Sequence, residues 1–503
     1  MVSRTASIAA PPGTLGNPTQ LFNYALDCLR SDREEVALAL VSKGVEAHPR
    51  DPRLWQVKGL LHRAIDQLGA ASDAFDRAAE LAPNDAKIAH ARARAHMETG
   101  APVIELFDRA AALAPGDVSV IQAKSAALLM LGETRPAVQI LQEQLRRQPM
   151  WTEGHALLAR VRWLLGDADH FTSSLQEALL RWPREAGLWK QLIGTLGQAV
   201  RHADALKTIE RARQFIGSSP MLDAFAAYSH DELGEVEQAR RLWDGLQPLR
   251  ESWMAVLYVG HLLRAGDYRR AGDVAYEWAL TPTGNQFWPY VSLAWRLTDD
   301  PRWQWLEGDE RLIQEYDLRE SMDVPLEELA GLLRKLQLGV RQPLDQSVRG
   351  GTQTDGHLLG RSEPELQQLR GAIVDAVERH IKQLPPVDPG HPNLRHRRDR
   401  PVRFSGSWSV RLTRAGHHAH HVHPYGWFSS AFYVHRPDME PPAGSIVFGQ
   451  APKELGIDLE PFLHVQPTPG HLVLFPSTTW HGTVPFDEGE RITVAFDVAQ
   501  PKA

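Results

Sequence analysis

Residues 78–83, AAELAP, return at 110–115 as AAALAP, and the proline closing each belongs to a longer series. Pro49, Pro83, Pro115, Pro149 and Pro183 recur at spacings of 34, 32, 34 and 34, and Pro220, Pro248 and Pro282 continue less regularly. Between them runs a second series, Gly69, Gly100, Gly132, Gly166, Gly197, Gly234 and Gly266, placed where two helices of one period are joined by a tight turn. Proline ends one helix and glycine permits the positive-φ cap of another. In one period Trp55, Gly59, Leu60, Ala74, Phe75 and Ala78 stand at helical spacings, with small residues where two helices approach closely.

Working outward, roughly seven or eight such hairpins fit between about residue 20 and residue 285. The pattern resembles the tetratricopeptide repeat, and the resemblance implies an α-solenoid whose concave surface takes up a peptide. We expect an unstructured N-terminus over 1–19 and the array over 20–300, with Trp288, Trp295, Trp303 and Trp305 capping it against the next domain.

The whole chain has 503 residues, several times a usual domain, with 43% hydrophobic and 23% charged residues. That balance excludes a fibrous or wholly disordered chain. The net charge of -7 is too mild and too acidic for binding nucleic acid by bulk electrostatics. Cys28 is the only cysteine, so a disulfide framework and a cysteine metal site are excluded. Neither a membrane-spanning run nor a secretory leader is apparent, and a cytoplasmic location is expected.

Past residue 310 the helical period gives way to short runs of β character. WSVRLTR, WFSSAFYVH, GSIVFG, FLHVQP, HLVLFPS and RITVAFDV each read as a strand bounded by Gly, Pro or Asp, which points to a sandwich or jelly roll. A helix is expected from Ser362, as N-cap with Glu365 three residues on, to about Lys382, packed on the sheet. The basic run RHRRDR at 395–400 reads as a solvated loop. The predicted architecture is therefore multidomain α + β: a solenoid, then a double-stranded β-helix domain over 310–503 with its core at 403–499.

Five of the 22 histidines crowd into residues 417–423, just before the strand WFSSAFYVH. In HVHP, His421 and His423 are two apart and share one side of an extended strand, so they can chelate one ion. His481, in PSTTWHGTVPF, is the expected third ligand. Imidazoles suit Fe, Zn, Cu or Ni without choosing among them. His417, His418 and His420 read as hydrogen-bonded groups, Trp427 and Trp480 as packing, and Ser477 lacks the partners a nucleophile needs. Ten residues beyond His481, past a turn at Asp487, Glu488 and Gly489, Arg491 offers a permanently charged fork for a carboxylate, with Thr493 on the same strand face.

HVHPYGWFSSAFYV, then PTPGHLVLFPSTTWHGTVPF, then ERITVAF resemble the Fe(II)- and 2-oxoglutarate-dependent oxygenases. The resemblance implies a jelly roll in which His421 and His481 bind Fe(II), and Arg491, assisted by Tyr433 and Thr493, binds the distal carboxylate of 2-oxoglutarate. It implies O₂ consumption, release of succinate and CO₂, and oxidation of a C–H bond, the array then recruiting a peptide or protein to be hydroxylated. The stretch QPLDQSVRGGTQT at 342–354 also looks like a segment of a related subfamily. One position departs from the pattern: His423 stands where the family carries a carboxylate. Asp497, about 20 Å along the strand from Arg491, is expected to be too far to replace it, and Asp438 is a weak substitute. Two further readings stay open, an interaction scaffold with a degenerate barrel and a three-histidine dioxygenase of a small molecule that does not use 2-oxoglutarate.

Overall fold

The computed structural model describes residues 13–337, 346–354 and 356–502. The N-terminal stretch expected to be unstructured lies outside the described residues as far as residue 12. From Thr14–Gly16 the chain makes a 3-10 turn, and Pro18 already opens a helix whose N-cap, Asn17, accepts the amides of Thr19 and Gln20.

Eight antiparallel helical hairpins follow, at 18–47, 52–81, 86–113, 118–147, 152–181, 186–216, 220–245 and 252–279. The prolines lie between hairpins, except Pro220, which opens one, and two residues after Pro49, Pro83 and Pro115 an aspartate caps the next helix: Asp51, Asp85 and Asp117 each accept an amide of its first turn. Three of the periods also bond back to their own proline, since Trp55, His155 and Trp189 reach the carbonyls of Pro49, Pro149 and Pro183 at 2.8–3.0 Å. Gly59 lies against the Phe75 ring, where a Cβ would sit 2.9 Å from its carbons, so the two helices of the second hairpin close only around glycine.

The glycine series is corrected at two places. The residue in the left-handed region inside each hairpin is Asp32, Asp66, Gly100, Gly132, Gly166, Val200, Gly234 and Gly266 in turn. Gly69 and Gly197 lie within helices, at 68–81 and 186–198. Aspartate tolerates this conformation through its short polar side chain, which a search for glycine passes over.

Helices Trp288–Leu297 and Arg302–Glu307 end the array. Trp288 and Trp295 are buried there, in one apolar cluster with Ala451, Leu455 and Trp480 of the C-terminal half. Beyond them come β1 (Gln314–Asp317), helix Leu326–Leu336, β2 (Val348–Gln353) and helix Pro364–Gln383. Of the 342–354 segment, residues 342–345 lie outside the described residues and the remainder carries β2. The last helix is capped by Glu363 rather than Ser362, whose amide and hydroxyl bond instead to the Thr99 carbonyl of the array.

The remaining strands are β3 (Phe404–His418), β4 (Gly426–His435), β5 (Ile446–Phe448), β6 (Leu463–Val465), β7 (His471–Pro476), β8 (His481–Thr483) and β9 (Arg491–Ala499). They form two antiparallel sheets, β1-β7-β4-β9-β3-β2 and β6-β5-β8. Alternation along the strands decides what each face does. Phe428, Phe432, Ile492, Val494 and Phe496 point to the helices 326–336 and 364–383, building the largest apolar core. Tyr433, Arg491 and Thr493, between them in sequence, face the interior and the smaller sheet.

The basic run at 395–400 is solvated only in part: Arg395, Arg397 and Asp399 are exposed, but Arg398 and Arg400 are tied down. Arg398 donates to the carbonyls of Leu384 and Pro385, and Arg400, buried, donates to Asp32 at 2.7 Å. Arg403 reaches Asp32, Glu34 and Glu35, so the first hairpin and the root of β3 are pinned by a buried cluster of charges. The far end of the array is pinned too, through Trp480 Nε1 to the Pro289 carbonyl at 2.9 Å and Arg296 to the carbonyls of Gly449 and Glu460.

Candidate metal centre

His421 and His481 meet because the backbone makes them partners. Each amide donates to the other's carbonyl, at 2.9 and 3.1 Å, in an isolated antiparallel bridge, and the His423 amide donates to the Ser477 carbonyl. The strand before β4 is thus paired with the strand entering β8. Ring centroids are 4.2 Å apart for His421 and His481, 4.9 Å for His421 and His423, and 5.4 Å for His423 and His481. One ligating atom from each of the three lies within 4.8 Å of the others.

The outer nitrogens decide which atoms converge. His421 Nδ1 bonds to the Ala419 carbonyl at 2.8 Å, His481 Nδ1 to the Thr479 carbonyl at 3.0 Å, and His423 Nδ1 to Asp497 Oδ2 at 2.8 Å. A carbonyl or carboxylate partner puts the proton on Nδ1 and leaves Nε2 as the donor toward an ion. Burial, reinforced by the neighbouring imidazoles, holds His421 and His481 well below the ordinary histidine range. Both are neutral ligands at neutral pH.

Asp497 does not join the three histidines as a ligand, but it stands closer to them than its distance from Arg491 suggested. It lines the same cavity as Arg491, Thr493 and Ala495 on the interior face of β9, and its carboxylate stands behind His423. Its other oxygen accepts from Ser429 Oγ at 2.6 Å, and Ser429 Oγ in turn accepts from Ser477 Oγ at 2.8 Å. The expectation measured from Arg491, which is at the opposite end of the strand, whereas the imidazole to be reached lies at the Asp497 end. Asp438 is exposed on its loop and outside the histidine group.

At the other end of β9, Arg491 is 2% exposed and has one polar contact among the described residues, from Nη1 to the Gly444 carbonyl at 2.6 Å. Its Nε has no partner, and neither has the hydroxyl of Tyr433, which sits opposite Thr493 in the β4–β9 register. Burial pushes Tyr433 up to about 12 and pulls Arg491 down from its ordinary value. A buried guanidinium with no acid beside it carries an uncompensated charge, and the chemistry that relieves it is a carboxylate entering the cavity.

His418, read from the sequence as a hydrogen-bonded group, and Ser347, to which no role was given, belong to the wall between these two ends. The Ser347 hydroxyl is 3.1 Å from His418 Nδ1 and 3.2 Å from His421 Nε2. Burial, with Arg491 as the next cause, pushes His418 down to about 3. His417 bonds to the Ala415 carbonyl, and His420 packs on Gly482.

Residues 406–497 match the family described as "Putative 2OG-Fe(II) oxygenase". The matched stretch holds the three histidines, Tyr433, Arg491, Thr493 and Asp497, and so carries most of the cavity wall. No curated protein matches the chain. Among solved structures, the helical region is similar to YrrB, a TPR protein with an unusual peptide-binding site, at 15% identity and TM-score 0.29 over 36% of this chain and 97% of that one. MamA from Desulfovibrio magneticus RS-1 is similar at 15% identity and TM-score 0.30, over 33% and 96%. PilW, a type IV pilus biogenesis factor, is similar at 17% identity and TM-score 0.29, over 48% and 97%. Among the described residues, no helix is long and apolar enough to cross a membrane.

Proposed function

We propose that the chain is an Fe(II)- and 2-oxoglutarate-dependent dioxygenase that hydroxylates a peptide or protein side chain brought to it by the repeat array. The observation that carries this reading is one cavity with three converging imidazoles at one end and a buried, acid-free Arg491 at the other. His421, His423 and His481 would hold the metal through Nε2, and the donor set fits, since imidazole suits Fe(II). Arg491 would take the distal carboxylate of 2-oxoglutarate, with Tyr433 donating its hydroxyl proton to the same group and Thr493 beside it. When bound, the iron supplies activation of O₂ coupled to decarboxylation of 2-oxoglutarate to succinate and CO₂. The protein's own part is to keep the cavity dry with Phe475 and Ile446, to fix three imidazoles through their Nδ1 partners, and to aim the target carbon.

His423 in place of a carboxylate leaves the ligand set one charge short, and Asp497 supplies that charge from behind the imidazole. This supports metal binding and weakens the reading of a degenerate barrel. A metal dioxygenase without the co-substrate would have no use for Arg491. We take the boundaries as 20–300 for the array and 310–503 for the oxygenase domain, with its core at 403–499, and place the protein in the cytoplasm in keeping with its single cysteine, Cys28.

Equilibrium dialysis under anaerobic conditions tests the reading. The wild type should retain Fe(II) and then 2-oxoglutarate, His481→Ala should retain neither, and Arg491→Ala should keep the iron while losing at least about tenfold in co-substrate affinity, as removal of a charge-assisted bond predicts. Iron retained without 2-oxoglutarate would favour the metal-only dioxygenase, and no iron would favour the scaffold.

A further inference from the structure

The edge of the array formed by the turns inside its hairpins already binds a length of extended chain. Over the first two hairpins the turn residues Asp32 and Asp66 hold the segment 400–404, Asp32 taking Arg400 and Arg403, and Asp66 the Phe404 amide at 3.0 Å. The segment so held is basic and apolar, with Val402 buried. At the third hairpin the same edge takes the amide of Ser362 on the Thr99 carbonyl.

From the fourth to the seventh hairpin no such cover is present among the described residues. Leu131, Leu165, Val200 and Leu233, one per hairpin at the same turn, are 52%, 47%, 75% and 43% exposed. Acidic residues stand in three of these turns, Glu133, Asp167 and Glu235, one position after the left-handed residue that Asp32 and Asp66 provide in the first two, with Asp167 bonded to His170 and Glu235 to His230. Val200 is the least ordinary of the four: a β-branched residue at φ 57, where five of the other seven turns have glycine. Strain of this kind at an exposed side chain is retained where the side chain is used. Val200 also lines a cleft of about 440 Å³ between array and barrel, together with Tyr228, Tyr290, Arg349, His420 and His421. The cleft therefore runs from one of these turns, that of Val200, to an imidazole of the candidate metal centre.

We propose that this row of turns docks an extended polypeptide substrate, with apolar residues about three apart and basic residues among them, and leads it through the cleft to His421. The proposal rests on the oxygenase reading and names its substrate class. Neighbouring turns of a stacked array lie roughly 10 Å apart, the distance an extended chain covers in about three residues. The apolar positions are separated by polar turn residues, which suits the alternation of side chains and amides in a polypeptide and not a continuous hydrocarbon chain.

The test is selection of a displayed library of random twelve-residue peptides against the full-length protein. Selected peptides should share the apolar spacing and basic content. Their affinity should fall at least about tenfold, the worth of one buried branched side chain, in Leu165→Glu/Val200→Glu. It should be unchanged in Leu180→Glu, which places the same charge at a side chain 78% exposed outside the row. Val200→Gly should bind more weakly while melting no lower than the wild type, since it relieves the strained turn. Peptides that ignore the double substitution, or a library that yields none, would overturn the proposal. So would self-association of the protein abolished by the same substitutions, which would assign the row to a second copy. Retention of Fe(II) and 2-oxoglutarate by Leu165→Glu/Val200→Glu, measured alongside, separates failure of docking from failure of the oxygenase reading.

Discussion

Replacing Asp497 with Asn keeps the shape behind His423 and removes the charge. On the present account Asp497→Asn lowers Co(II) affinity between about 10- and 100-fold in a spectrophotometric titration, and Ser429→Ala, which removes only a neutral donor to the same carboxylate, lowers it less. A second residue responds to pH. Burial pushes His380, packed against Phe428 and bonded to Tyr316, down to about 4 from its ordinary value near 6.5. The folded state holds this imidazole neutral while the unfolded chain protonates it, so stability is full above about pH 6.5, falls as the pH drops, and levels off below about 4. Between pH 7 and pH 5 the wild type should lose about 2 kcal/mol more than His380→Leu in urea unfolding. Much of the site was legible at this scale: the i, i+2 spacing of His421 and His423 and the ten-residue step to Arg491 name residues that do share the cavity. The alternation along RITVAFDV also put Asp497 on the face of Arg491. It was discounted because a sequence gives distance along one strand and not which end of it another strand will reach.

The turns inside the hairpins carry the same lesson at the scale of an element. Proline spacing gave the hairpins their length, but the left-handed residue is aspartate in two turns and valine in a third, and no rule of composition finds those. Gly132, at φ 76 with open space where a Cβ would point, isolates the conformational cost from packing. Gly132→Val should destabilise the protein by about 1–2 kcal/mol in thermal unfolding with no change in helix content. Strand positions were readable from alternation, whereas β1, β2 and β8 are short segments whose pairing is decided by partners far away in sequence. Gln314 pairs with Leu474, and His481 with Phe448, and neither contact leaves a local trace.

Across the whole molecule the array and the oxygenase domain are one packed body rather than a recruiter tethered to an enzyme. Asp32 and Arg400 are 368 residues apart in sequence and in contact, and the charge cluster around them includes Arg403, Glu34, Glu35 and Lys502. Asp32→Ala leaves two buried guanidinium groups short of a partner and should cost about 3–5 kcal/mol in urea unfolding, with earlier proteolytic cleavage between the first hairpin and the root of β3. Pairings at that separation are beyond sequence reading, which is why the end of a basic run that looked solvated proved to be covered, at Arg400, while Arg395 and Arg397 stay exposed. The central claim, that one cavity binds Fe(II) through three histidines and 2-oxoglutarate through Arg491, is tested most directly by anaerobic titration of the metal-free protein with Fe(II) and then 2-oxoglutarate. The account predicts a visible charge-transfer band that appears only with both, is absent in His481→Ala and weakens in Arg491→Ala. A wild-type protein that gives no band with both present would contradict it.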